Sequence, residues 1–144
     1  MALGRPNLGS ILTRNGVISQ HQLDAAVRYQ AEDGCRLGEA LVSLGACTEV
    51  QIAQALAEQL ELPFVDLHLS PPIASYTALI PRESALEYGV LPVRMQGNRL
   101  LVVARDPFDI RVDEMVRQAT DMPVILGIAP ESQLRELLHQ FYKA

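Results

Sequence analysis

Lysine is almost missing from this chain. Of its 12 basic residues only Lys143 is a lysine, and no glycine-rich loop precedes it. A Walker-type phosphate loop, which ends in Gly-Lys-Ser/Thr, is therefore excluded, and an ATPase motor of that class with it. Cysteine is confined to Cys35 and Cys47, 12 positions apart, with neither a Cys-x-x-Cys pair nor histidine at zinc spacing. They read as buried or half-buried thiols of a reducing compartment. The histidines His21, His68 and His139 are scattered, and no Gly-x-Ser-x-Gly or His-Glu-x-x-His accompanies them. No catalytic constellation emerges, so the chain is not expected to be an enzyme or to hold a metal or cofactor. No apolar run approaches the roughly 20 residues that cross a bilayer. Met1-Ala2-Leu3-Gly4-Arg5 also lacks the apolar core of a signal peptide. The expectation is a cytoplasmic chain with no direct membrane insertion.

What is present is an ordinary globular composition: 144 residues, 49% hydrophobic and 20% charged, without tryptophan. That length suits one domain or two small ones with a modest core. A net charge of -5 argues against nucleic-acid binding, because a polyanion needs a broad basic face. Acid pairs such as Glu131/Glu136 and Asp113/Glu114 lie in charge-mixed helical stretches and read as solvated faces.

The chain also repeats itself. The stretch from Asn7-Leu8-Gly9 to Gln30 returns 29 positions later as Arg36-Leu37-Gly38 to Gln59. Leu8/Leu37, Gly9/Gly38, Leu12/Leu41, Gly16/Gly45, Gln22/Gln51, Ala26/Ala55 and Gln30/Gln59 are identical. Self-similarity of this kind means two copies of one supersecondary unit. In each copy apolar residues at helical spacing lead to Gly16 or Gly45, which closes a short helix. Ser19 and Thr48 then stand as N-caps for a second helix. Two helical hairpins, and so four helices, are predicted over residues 7 to 61.

The pattern changes at Pro63 and again at Ser70-Pro71-Pro72, since proline restricts itself and its predecessor. Ile80 to Tyr88 reads as a short helix with Pro81 in its first turn. Val90 to Met95 and Arg99 to Ala104 read as strands joined at Gln96-Gly97-Asn98. A helix from Asp109 or Ile110 to Thr120, a strand over Pro123 to Ile128 and a closing helix over Glu131 to Tyr142 complete the reading. The predicted fold class is α+β: a tandem-repeat helical subdomain over 1–62, then an α+β subdomain over 63–144 with about three strands and three helices.

The two Leu-Gly pairs open helices, where backbone N–H groups favour anions and glycine admits a close approach. Arg36 precedes the second pair, and its guanidinium can grip a phosphate or guanine O6 and N7, or stack on a base. Asn7 holds the equivalent place in the first copy, with Arg5 two residues upstream. On the second helices, Leu23, Val27 and Gln30 share one face, as do Ile52, Leu56 and Gln59. An apolar floor ending in a primary amide beside a guanidinium suits a purine. The same residues also read as core leucines, a capping glycine and a surface glutamine.

Arg-Leu-Gly-x-x-Leu, then Gly, then a leucine-bearing helix ending in Gln, doubled and followed by Leu62-Pro63-Phe64-Val65-Asp66-Leu67, resembles the N-terminal domain of type II secretion and type IV pilus assembly ATPases. In its cyclic dimeric GMP-binding form that domain is called MshEN. Leu91-Pro92-Val93, Leu100-Leu101-Val102-Val103-Ala104 and Asp106-Pro107-Phe108-Asp109 look like the family's second subdomain, so the resemblance covers nearly the whole chain. It implies a regulatory module whose ligand, cyclic dimeric GMP, is clasped by both copies. The state of that site would pass through the α+β half to an ATPase motor or an inner-membrane platform protein. Arg36, Leu37, Gly38, Ile52, Leu56 and Gln59 match the binding pattern in the second copy. Leu8, Gly9, Leu23 and Gln30 match in the first, with Val27 in place of leucine, and the resemblance adds Asp106. Asn7 departs from the pattern, which has arginine there, and Arg5 is a substitute. That departure supports the alternative, a ligand-free adapter docking such an ATPase to its platform.

Overall fold

The computed structural model describes residues 7–142, so Arg5 and the rest of the first six residues, and Lys143, lie outside the described residues. The chain divides into two compact units, Met1–Glu61 and Leu62–Ala144.

Among its described residues the first unit holds four helices, as the repeat predicts: α1 (Leu8–Arg14), α2 (Gln20–Asp33), α3 (Leu37–Ser43) and α4 (Glu49–Leu60). Local chemistry starts and stops each of them. Ser19 and Thr48 open α2 and α4 through reciprocal capping boxes with Gln22 and Gln51, which satisfy helix-start amides that no turn can reach. Past α1 and α3 the backbone turns left-handed at Gly16 (φ 74°) and Gly45 (φ 72°), where a side chain would be strained.

Eight buried residues form the core of this unit: Ile11, Leu12, Ile18, Ala26, Ala40, Leu41, Cys47 and Ala55. They are four pairs related by the 29-residue shift: Ile11/Ala40, Leu12/Leu41, Ile18/Cys47 and Ala26/Ala55. The repeat is thus a repeat of core positions. The principal helix pairings run between copies, α1 against α4 and α2 against α3. Each hairpin therefore shields its partner's apolar face, so neither copy has a complete core alone.

The second unit is built on a three-stranded sheet of order β1-β2-β3. β1 (Val90–Gln96) and β2 (Arg99–Ala104) form an antiparallel hairpin, with an irregularity between Pro92 and Arg94. Proline lacks a ladder donor, so a register break beside it is expected. β3 (Val124–Gly127) lies parallel to β2 after the crossover helix α7 (Ile110–Thr120). The extended segment after α4 adds a parallel bridge from Phe64 to Ile128. Valines and leucines of β1 and β2 are buried with Val112, Val116, Leu134 and Leu138 as the core.

Among the described residues the helices of this unit number four rather than three: α5 (Ala74–Thr77), α6 (Arg82–Tyr88), α7 and α8 (Glu131–Phe141). The unread one, α5, is a single turn of four residues, too short to show a helical period. Pro81 stands at the N-cap of α6, one position before its first turn.

Candidate functional site

In the first copy α1 meets α2 at Gly9. A Cβ built there would stand 2.9 Å from Leu23 Cδ1, and in the second copy one on Gly38 would stand 3.0 Å from Ile52 Cγ2. Close helix contact, and not ligand approach alone, therefore accounts for a small residue at both places. The structure brings Gly9 to Leu23 and Gly38 to Ile52, each motif start against the stripe of its own copy.

The stripe lies at the edge of the core, with Leu23 and Ile52 packed against it but only partly buried. On α2 the buried residue is Ala26, and on α4 they are Ala53, Ala55 and Ala57. The larger neighbours Leu23, Gln30, Ile52, Leu56 and Gln59 are only half-buried, and Val27 is 49% exposed. Small side chains face inward and the apolar, amide-ended faces are left partly open to solvent. Open apolar stripes of this kind mark sites for a ligand or partner.

The two copies differ at their helix starts. Asn7 caps α1, its Oδ1 accepting the Ser10 N–H at 2.8 Å. At the equivalent place Arg36 has no acceptor to offer, and the helix start is organised the other way round. The Arg36 backbone N–H and its Nε both donate to Glu39 Oε1, at 3.2 Å each. These two hydrogen bonds, the backbone one first, and then the guanidinium charge hold the Glu39 carboxyl below its usual range. The guanidinium is anchored to Glu39 but exposed.

A second asymmetry joins the copies. Arg14 and Asn15, at the end of α1, both reach Glu58 on the last turn of α4, one residue before Gln59. Twenty-nine positions earlier than Glu58 stands Tyr29, which packs on the core of the unit instead. Neither Glu39 nor Glu58 was a candidate from sequence. Glu39 was legible as an acid at the third helical position, whereas Glu58 carries no local signal.

Asp106 belongs to the second unit, where its Oδ1 accepts the Phe108 N–H at 3.0 Å in the turn before α7. Cys35 is half-buried and Cys47 buried, both free thiols whose ionisation is pushed up, chiefly by burial. Among the described residues no helix is long and apolar enough to cross a membrane.

Comparison with known proteins identifies a family whose description matches the chain beyond the helical repeats. The MshEN domain description matches residues 60–144, more than half of the chain. The type IV pilus assembly ATPase PilB of Myxococcus xanthus is 31% identical over 135 residues, 94% of this chain and 24% of that protein. Bacteriophage adsorption protein B of Escherichia coli is 39% identical over 102 residues, 71% of this chain and 14% of its own length. A solved structure of MshE with cdg superposes with a TM-score of 0.77 at 33% identity, covering 96% of this chain and 100% of that one. The chain thus spans a quarter or less of the curated relatives it matches.

Proposed function

We propose, since the chain belongs to the MshEN domain family, that its helical unit is a receptor for cyclic dimeric GMP serving a regulatory rather than catalytic role. The observation that carries this reading is the doubled, half-open stripe: Leu23-Val27-Gln30 and Ile52-Leu56-Gln59, each set against a Leu-Gly helix start. A ligand made of two like halves is matched by a site made of two like halves. The similarity to MshE, solved with cdg, spans both copies and supports the same ligand.

In this reading Arg36 meets the phosphate or guanine edge of one half with a charge-assisted contact. The aliphatic stripes receive the purine faces, and Gln30 and Gln59 read their edges. Leu8, Gly9, Leu37 and Gly38 line the approach. The bound state is relayed to a secretion or pilus ATPase motor on the cytoplasmic side.

Titration calorimetry with cyclic dimeric GMP tests it. The wild-type chain shows saturable binding, and Arg36→Ala weakens it about tenfold or more, the loss of one charge-assisted hydrogen bond. Absence of wild-type binding up to about 100 µM removes the reading.

One observation favours a second reading, an adapter without a small ligand that docks a motor to its membrane platform. Asn7, where the resemblance implies arginine, has its amide oxygen committed to capping α1. A partner pull-down indifferent to added nucleotide distinguishes it.

A further inference from the structure

The repeat keeps its core pairs but not the chemistry of its two seams. The end of α1 carries Thr13, Arg14 and Asn15, and the last turn of α4 carries Glu58. Shifted by one repeat, the same positions hold Val42, Ser43 and Leu44 at the end of α3, and Tyr29 on α2. The α1–α4 seam is therefore polar where its twin is largely apolar.

The polar seam is a connected set of bonds. Thr13 Oγ1 donates to the Gly9 carbonyl at 3.0 Å, tying the last turn of α1 to the glycine of the first motif. Arg14 Nη2 donates to Glu58 Oε2, and Asn15 Nδ2 donates to Glu58 Oε1 at 3.3 Å. Both oxygens of one carboxylate are held by neighbouring residues of α1, a two-point contact that fixes orientation as well as distance. The Asn15 and Gly16 amides donate to the Ile11 and Thr13 carbonyls, so these donors stand on a backbone already set. Glu58 also lies in the C-terminal turn of α4, where a carboxylate opposes the helix dipole. Its position is unfavourable for α4 alone, and the cation on α1 offsets that.

We infer that Glu58 is a positioning residue. With Arg14 and Asn15 it latches α1 to α4, holding the Leu8-Gly9 start of the first copy and Gln59 of the second in one frame, so that both halves meet a ligand together. The identity of that ligand rests on the nucleotide reading. Gln59 follows Glu58 directly, so a helical turn fixed at one residue fixes the next. Its counterpart Gln30 follows Tyr29, which packs on the core instead. Arg14 and Glu58 keep 57% and 46% side-chain exposure, and an exposed ion pair contributes little to stability. What the latch supplies is alignment, and groups aligned in advance cost less to order on binding.

The test compares the labelled 144-residue chain, its Glu58→Ala variant and a charge-swapped chain carrying Arg14→Glu with Glu58→Arg. Both side chains are exposed, so the variants fold. Amide shifts are followed with cyclic dimeric GMP, and amide hydrogen exchange without it. Glu58→Ala is expected to weaken nucleotide binding about fivefold and to split the responses of Leu8-Gly9 and Leu37-Gly38 into separate dissociation constants. It is also expected to speed hydrogen exchange at the ends of α1 and α4 but not of α2 and α3. The charge-swapped chain is expected to regain a common constant, since the pair is remade with its charges reversed. Glu58→Ala that binds like wild type, or a loss that the swap does not repair, overturns the inference while leaving the nucleotide reading in place. A wild type that does not bind removes the nucleotide reading, and hydrogen exchange then decides the latch by itself, unchanged rates at α1 and α4 overturning it.

Discussion

Gly9 lies so close to Leu23 that a single added carbon would stand 2.9 Å from the leucine's Cδ1. The pseudo-equivalent pair is not quite the same. At Gly38 the obstruction is Ile52 Cγ2, at 3.0 Å. A leucine methyl at the end of a rotatable chain can swing aside, whereas a β-branched Cγ2 is held by the backbone. Gly9→Ala is therefore predicted to leave stability within about 1 kcal/mol of wild type, the strain offset by improved helix propensity. Gly38→Ala is predicted to cost about 1 kcal/mol more than Gly9→Ala. Urea denaturation of both variants checks the order, and a more stable Gly38→Ala contradicts it.

Asn7 is where stability and ligand affinity oppose each other. Asn7→Ala removes the cap on Ser10 and is predicted to destabilise the helical unit by about 1 kcal/mol. Asn7→Arg loses the same cap but restores a cation at the first motif, so it lowers the melting point while tightening cyclic dimeric GMP about tenfold. Parallel melting and binding curves separate the two effects. Equal affinity in wild type and Asn7→Arg denies the first copy its role.

Glu39 makes the helical unit sensitive to acid. Its carboxyl is held below the usual range by hydrogen bonds from Arg36. Its contribution is present above the unfolded carboxylate value and is lost as pH falls through the lower folded value. The pair is exposed, so the effect is small, about 0.5 kcal/mol. Stability curves of wild type and Glu39→Gln are predicted to converge at acid pH and to separate above about pH 5. Curves that stay parallel refute the assignment.

Tyr142 works at the opposite end of the scale. Its hydroxyl donates to the buried Thr77 carbonyl at 2.5 Å. Burial holds the phenol up at about 12. The stabilisation is fully present below the ordinary tyrosine value near 10 and disappears as pH rises from there through about 12. Tyr142→Phe is predicted to cost about 1 kcal/mol at neutral pH and to flatten that alkaline decline. An unchanged alkaline slope in the variant contradicts the account.

What the sequence discloses here depends on whether a feature is local. Ser19 and Thr48 as N-caps, and the glycines after α1 and α3, are short-range signals, and they mark the helix ends where the structure has them. Identity revealed the core pairs Leu12/Leu41 and Ala26/Ala55. Ile11/Ala40 and Ile18/Cys47 stayed hidden because unlike residues fill equivalent places. The exchange of partners, α1 with α4 and α2 with α3, is a tertiary choice that the hairpin signals do not encode. Arg14 and Glu58 are 44 residues apart, and nothing in either neighbourhood announces their ion pair. The repeat singles out Gly9 and Gly38, but their close packing was not legible, since it lies in the side chains opposite them.

The most direct test of the central claim is an amide-shift titration of the labelled chain with cyclic dimeric GMP. The account predicts that signals from Leu8-Gly9 and Leu37-Gly38 move together, with one shared dissociation constant and a stoichiometry of about one ligand per chain. Shifts confined to a single copy, or none in either, contradict it.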